Sequence, residues 1–99
     1  MFVDIEPDTA NIDADLIEQA ITPRARAVLA VDAFGQPARL DEIRDIVRKH
    51  GLVFIEDSCE SLGSVYKGKK AGGPDFADAA VFAFYPNKQI TTGEGGMIV

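Results

Sequence analysis

Runs of apolar residues along the chain predict where its β-strands lie. The uninterrupted run Ala27–Val31 is typical of a strand that is buried on both faces. Residues 52–55 form a second apolar run, which ends at Glu56 and Asp57. Residues 2–5 form a shorter run that is closed by the turn signal Glu6-Pro7-Asp8, and they predict one more strand at the start of the chain.

Between these runs, apolar residues recur at helical spacing. A first helix is predicted to begin near Asp13, which can cap it, and to end at Thr22-Pro23. Its apolar face consists of Leu16, Ile17, Ala20 and Ile21. A second helix is predicted between Pro37 and Gly51, with a basic last turn before the glycine C-cap. Its buried stripe consists of Leu40, Ile43, Ile46 and Val47.

The alternation of strands and amphipathic helices predicts an α/β fold with a mostly parallel sheet and flanking helices. Residues 95–99 resemble a strand that has just begun, and the chain starts just as abruptly with apolar residues. We therefore expect an internal piece of a longer protein. The alternative is a natural 99-residue domain with an edge strand at each terminus.

Composition and charge exclude several classes of protein. The net charge of −6 comes without a basic stripe, so a nucleic-acid partner is not expected. The sequence shows no signal peptide and no apolar run of the roughly 20 residues that would span a bilayer, so no membrane partner is expected. The single cysteine, Cys59, cannot form an internal disulfide, and this favours a reducing, cytoplasmic location.

Candidate chemistry lies at the ends of two predicted strands. Lys88 follows an apolar, aromatic run, and a lysine held at the mouth of such a strand can lose its proton and attack a carbonyl. Asp57 ends the run at residues 52–55, at the side of an α/β sheet where ligands bind. A carboxylate and an amine on neighbouring strands can hold opposite ends of one heteroaromatic ring, the arrangement that pyridoxal phosphate requires.

Structural roles are the alternatives for these residues. Taken alone, Lys88 is a solvated surface charge, and Asp57 is a helix cap or a metal carboxylate. No phosphate-binding Gly-x-x-x-x-Gly-Lys-Ser/Thr loop accompanies Asp57, so no metal site is predicted. Cys59 is more typical of a small buried hydrophobe than of a nucleophile.

Three segments carry a resemblance to a known family. Residues 56–63 (EDSCESLG), 66–69 (YKGK) and 84–96 (FYPNKQITTGEGG) are similar to motifs of the DegT/DnrJ/StrS aminotransferases. Those enzymes use pyridoxal 5'-phosphate, have the aspartate-aminotransferase fold (fold type I), and in many cases act on nucleotide-linked keto-sugars. Shorter matches upstream extend the resemblance over essentially the whole chain.

The resemblance implies a role for each site residue. Lys88 would be the catalytic residue, forming a Schiff base with the cofactor and moving the proton during transamination. Asp57 would pair with the pyridinium nitrogen, Cys59 would pack against the ring, and Glu60 would take the place of a glutamine that bonds the phenolic oxygen. Ala83 replaces a serine that touches the phosphate in many members, so other groups would have to bind the phosphate.

The resemblance also implies what the chain represents. Residues 1–99 would be part of a pyridoxal-phosphate-binding large domain, without the upstream phosphate turn and the C-terminal small domain. The parent would be a homodimeric aminotransferase using a glutamate-like amino donor and a nucleotide-linked keto-sugar, and the isolated piece is expected to be inactive. Two other functions stay open: a phospho-acceptor receiver-like signalling domain, and a non-catalytic remnant.

Overall fold

A computed structural model describes residues 1–99 and shows two α-helices and six short strands. The helices are α1 (Ala14–Ala20) and α2 (Leu40–His50). The strands are β1 (Ala27–Val31), β2 (Val53–Asp57), β3 (Val65–Tyr66), β4 (Lys69–Lys70), β5 (Ala79–Ala83) and β6 (Gly96–Ile98). Neither helix has the length and apolar character needed to cross a bilayer.

Four of the strands form one sheet in the order β1-β2-β5-β6. β1, β2 and β5 run parallel, and β6 joins β5 as an antiparallel edge strand. Val31 lies beside Asp57 across β1 and β2, and Asp57 lies beside Val81 across β2 and β5. The predicted α/β class is confirmed, and the carboxyl ends of three neighbouring strands meet at one edge of the sheet.

Both helices begin and end where their sequence signals predict. The carboxylate of Asp13 accepts a hydrogen bond from the backbone N–H of Asp15, which caps the start of α1. Gly51 adopts the left-handed conformation at the end of α2, with φ 63° and ψ 34°, and its N–H bonds back to the last turn. The predicted caps are therefore confirmed at Asp13 and at Gly51.

Replacement of Gly51 by alanine is expected to lower the free energy of unfolding by about 1 kcal/mol. No atom lies within 4 Å of a Cβ built on Gly51, so backbone strain at positive φ would be the whole cost. Urea denaturation followed by circular dichroism measures the change. Gly51→Asn is the matched control, because asparagine tolerates this conformation and should lose less stability. Equal losses in both variants would contradict the argument.

The helices pack on one face of the sheet and bury a single apolar cluster against it. The cluster consists of Ala14, Ile17, Ala30, Ala38, Leu40, Ile43, Val47, Phe54 and Phe76. The opposite face of β1 is open: Ala30 is fully buried, whereas Leu29 and Val31 are 55% and 43% exposed. The prediction that β1 is buried on both faces is therefore wrong for this chain, because no element covers the second face.

The strand predicted at residues 2–5 is absent. Phe2 is fully exposed, and the segment contributes only one isolated bridge, between Ile5 and Ile12. The chain turns back on itself here, since the N–H of Glu6 donates to the carbonyl of Asn11. Without a neighbouring strand to supply ladder hydrogen bonds, an apolar run of this length does not form a strand.

β3 and β4 form a short hairpin outside the main sheet. Lys67, Lys69 and Lys70 belong to it. Lys67 and Gly68 have positive φ angles of 46° and 78°, which matches the tight turn of a two-residue hairpin. All three lysines are exposed on the surface.

Candidate functional site at the carboxyl ends of the strands

Lys88 is a largely buried lysine in the turn that follows β5. The sequence predicted it at the end of a strand, whereas β5 ends at Ala83 and Lys88 lies five positions further on. The turn is closed by a hydrogen bond from the Lys88 N–H to the carbonyl of Tyr85, 3.0 Å long. The side chain is only 18% exposed, and its Nζ lies 3.2 Å from Oε1 of Glu60. Most lysine side chains extend into solvent, whereas the Lys88 ammonium is largely buried and is held by its contact with Glu60.

Asp57 is the last residue of β2 and occupies the predicted strand end. Its carboxylate accepts the N–H of Cys59 at 3.1 Å, which fixes the side chain over the first turn after the strand. Its backbone carbonyl accepts the N–H of Asp32 at 3.0 Å, so the end of β1 is tied to the same point. Asp57 therefore presents a carboxylate at the sheet edge beside the strand that leads to Lys88.

Cys59 carries a thiol that is not activated. Burial, together with the neighbouring Asp57 carboxylate, raises the pKa of this thiol to about 11. Its Sγ lies 3.7 Å from the carbonyl oxygen of Val81. A neutral thiol of this kind is a packing group and a poor nucleophile, as the sequence indicated.

Glu60 connects three segments of the chain. Its Oε1 contacts the Lys88 ammonium, and its Oε2 accepts the N–H of Phe34 at 3.0 Å. Its backbone carbonyl accepts a hydrogen bond from the side-chain amide of Gln89. The carboxylate thus lies between a cation and a backbone donor. Lys88 and Glu60 are brought into contact, and Asp57 and Cys59 lie on the same loop.

Residues that the sequence did not single out lie directly beneath this loop. Asp32, Glu56 and Ser58 are completely buried, and Ser61 is 1% exposed. Asp32 accepts both serine hydroxyls, while Glu56 accepts the N–H of Gly72 at 2.7 Å. Burial and the nearby charge of Asp32 raise the pKa of the Glu56 carboxyl to about 7. The sequence did contain a signal that could have identified Asp32 and Glu56. Each is an acidic residue at or just after the end of an apolar strand.

The chain's large apolar groove lies elsewhere. Its volume is about 850 Å³, and its walls come from the N-terminal segment, α1 and β1. None of Asp57, Cys59, Glu60 and Lys88 lines it. The chemistry of the chain is therefore concentrated at the strand ends, outside the groove.

The side chains at the strand ends fit a ligand that carries a cationic ring nitrogen and an aldehyde. Asp57 offers a carboxylate that would hold the nitrogen, and Lys88 offers a largely buried amino group for the aldehyde. Cys59, two positions after Asp57, supplies a neutral thiol that would pack against the ring. Ala83 has no hydroxyl, so position 83 offers no side-chain contact to a phosphate.

The whole chain is similar to known proteins. A model of the DegT/DnrJ/EryC1/StrS aminotransferase family matches residues 1–99. GDP-perosamine synthase of Caulobacter vibrioides is 47% identical over 98 residues, which are 99% of this chain and 26% of that protein. A dTDP-4-dehydro-2,6-dideoxy-D-glucose 3-dehydratase of Saccharopolyspora spinosa is 40% identical over 99 residues, 100% of this chain and 21% of that protein.

Solved structures share the fold over the same region. Helicobacter pylori PseC, an aminotransferase of pseudoaminic acid biosynthesis, matches with a TM-score of 0.94 and 40% identity over 100% of this chain and 26% of its own. The Escherichia coli GDP-4-keto-6-deoxy-D-mannose-3-dehydratase, solved with bound hydrated pyridoxal phosphate, matches with a TM-score of 0.87 and 38% identity, over 99% of this chain and 25% of its own. The chain spans about a quarter of the length of these relatives.

Proposed function

Because the chain belongs to the DegT/DnrJ/EryC1/StrS aminotransferase family, we propose that it is the cofactor-anchoring part of a pyridoxal-phosphate-dependent sugar aminotransferase. The observation that carries the proposal is the placement of Lys88. This lysine is 18% exposed, contacts Glu60, and lies beyond the strand that neighbours Asp57. Attachment of this cofactor requires a lysine at the same edge of the sheet as a strand-end carboxylate, which is where Lys88 and Asp57 lie.

Each site residue then has a defined task. The cofactor, when bound, supplies an electron sink for the carbon that exchanges its amino group. Lys88 would provide the amine that anchors it and would move the proton at the reacting carbon. Asp57 would hold the ring nitrogen. Cys59 packs as a neutral group, and Glu60 holds the Lys88 amine in position before the cofactor arrives.

The substrate side of the proposal comes from the relatives. Perosamine synthase and the two dehydratases are named for nucleotide-linked sugars, and PseC is an aminotransferase. We propose a nucleotide-linked keto-sugar as acceptor and a glutamate-like amino acid as donor. The dehydratases of this family lack the catalytic lysine, so the lysine present at position 88 favours amino transfer over dehydration. The parent protein is proposed to be a homodimer, with a phosphate turn and a small domain outside these residues.

Covalent trapping tests the proposal on the chain itself. The protein is incubated with pyridoxal phosphate, reduced with borohydride, and digested so that the modified lysines can be mapped. We expect the label at Lys88 at low reagent concentration, ahead of the exposed Lys67 and Lys70, although Lys88 is the least accessible of the three. Lys88→Ala should remove this label, and Lys70→Ala, the matched control, should retain it.

The opposite results identify the alternatives. Labelling that follows exposure alone, with Lys67 and Lys70 modified first, would favour a non-catalytic remnant. Incubation with acetyl phosphate tests the receiver alternative, which expects a phosphoryl group on Asp57. Either outcome would overturn the assignment of Lys88 as the anchoring residue.

A further inference from the structure

The turn that follows β1, Asp32 to Gly35, contacts the loop that carries the proposed cofactor residues. The N–H of Asp32 donates to the carbonyl of Asp57 at 3.0 Å. The N–H of Phe34 donates to Oε2 of Glu60 at 3.0 Å. The first contact holds the start of the Asp57–Glu60 loop, and the second holds the carboxylate at its end. One turn of the chain therefore contacts both acidic residues.

The side chain of Asp32 adds a second layer of contacts beneath the loop. Its Oδ2 accepts the hydroxyl of Ser58 at 3.1 Å and the hydroxyl of Ser61 at 2.7 Å. These two serines flank Cys59 and Glu60 in the sequence, so a single carboxylate oxygen holds the loop on both sides of them. All three side chains of this network are buried, where a lost partner is costly.

Asp32 is itself held independently of the loop. Its Oδ1 accepts the N–H of Ala38 at 3.0 Å, which ties it to the start of α2. The next N–H, that of Ala33, donates to the buried side chain of Asn11 at 2.8 Å. Phe34 has φ 55° and ψ 24°, a conformation that non-glycine residues rarely adopt, and the residue is 86% exposed. Side-chain packing therefore does not account for this conformation, in which the Phe34 N–H bonds Glu60.

Ser58 lies between the two buried acids. Its hydroxyl lies 3.1 Å from Asp32 Oδ2 and 3.2 Å from Glu56 Oε1. A hydroxyl has one proton to donate, so Asp32 and Glu56 compete for it. The second oxygen of Glu56, Oε2, is buried and has no partner, which favours the neutral form of that carboxyl. A neutral carboxyl is the weaker acceptor, so the Ser58 hydroxyl donates to Asp32.

We propose that Asp32 is a positioning residue for the cofactor site, acting through Ser58, Ser61 and the Phe34 turn to hold Glu60 against the Lys88 amine. Asp32 touches neither Lys88 nor any atom of the proposed reaction, and it acts only through the residues that it holds. The expected consequence of this positioning is faster and more selective attachment of an aldehyde at Lys88, and this consequence rests on the proposed function. The hydrogen-bond geometry on which it depends is independent of any cofactor.

The test uses the 99-residue chain and two independent readouts. Asp32→Asn keeps the size of the side chain but replaces the acceptor of the serine hydroxyls. We expect amide hydrogen exchange at Phe34, Cys59 and Ser61 to become about tenfold faster. The downfield amide proton resonance expected for Phe34, whose acceptor is a carboxylate, should also move upfield. Exchange at Ile43 in α2 should keep its wild-type rate, since the helix core does not depend on the network.

Two further variants make the result decisive. Ser61→Ala removes one hydroxyl from Asp32 and should produce a smaller change at the same amides, even if Asp32→Asn does not fold. Thr22→Ala is the matched control, because its hydroxyl accepts the N–H of Arg24 beyond α1 and contacts no residue of this network. It should leave the Phe34 resonance in place.

The outcomes separate this inference from the proposed function. Unchanged exchange at Phe34 and Cys59 in Asp32→Asn and Ser61→Ala would overturn the positioning role, as would equal acceleration throughout α2. The rate of pyridoxal-phosphate trapping at Lys88 is then measured in the same variants, and we expect it to fall about tenfold in Asp32→Asn. If the wild-type chain shows no trapping at Lys88, the proposed function fails, and the exchange results still decide the role of Asp32.

Discussion

Asp57→Asn is expected to weaken pyridoxal-phosphate capture by about tenfold to a hundredfold, the effect of losing one hydrogen bond to a charged partner. Asparagine retains the oxygen that accepts the Cys59 N–H, so the loop should keep its conformation. The substitution removes only the negative charge that would keep a ring nitrogen protonated. The expected loss of affinity for pyridoxal phosphate is therefore electrostatic, and the packing of the loop should change little.

The measurement is the concentration of pyridoxal phosphate that half-saturates borohydride trapping at Lys88. Asp45→Asn is the matched control, because it makes the same change of charge on the exposed side of α2. It should leave half-saturation unchanged. Equal effects of the two substitutions would mean that Asp57 contributes only to the overall charge, and its assignment to the ring nitrogen would then be wrong.

The stability of the chain is expected to fall as the pH rises from 4.5 to about 7, because of Glu56. Burial and the charge of Asp32 raise the pKa of this carboxyl from 4.5 to about 7 in the folded chain. The folded state therefore binds the proton more tightly than the unfolded state. The stabilisation is complete below pH 4.5 and is lost as the pH passes about 7, by up to about 3 kcal/mol.

Urea denaturation across this pH range, in the wild type and in Glu56→Gln, measures the effect. Glutamine is neutral at every pH and its carbonyl can still accept the Gly72 N–H, so the variant should show a much flatter dependence. Glu42→Gln, an exposed substitution on α2, is the control and should keep the wild-type slope. A wild-type slope in Glu56→Gln would show that Glu56 does not carry the buried proton.

Local signals in the sequence were sufficient for most of the fold. The Asp13 cap, the Gly51 C-cap and the apolar stripe of α2 act within a few residues, so their outcome does not depend on the rest of the molecule. The alternation of strands and helices likewise predicted the parallel sheet. The segment at residues 2–5 failed, because a strand needs a partner and nothing local supplies one.

For the candidate site, the sequence indicated the residues and the structure supplied the contacts. Lys88 and Asp57 were recognisable from the strand ends and from the family motifs. That Glu60 meets Lys88, and that Phe34 holds Glu60, depends on segments between 26 and 28 positions apart. Spacing along the chain does not determine such contacts, because they follow from the register of β1, β2 and β5.

The helices, the α/β class, the family and the two residues on which the proposed chemistry rests could all be predicted from the sequence. The burial of Asp32 and Glu56 together under the loop, and the open face of β1, became visible only in the folded chain. Caps and apolar periodicity are properties of neighbouring residues. Burial and desolvation arise only when distant segments pack together.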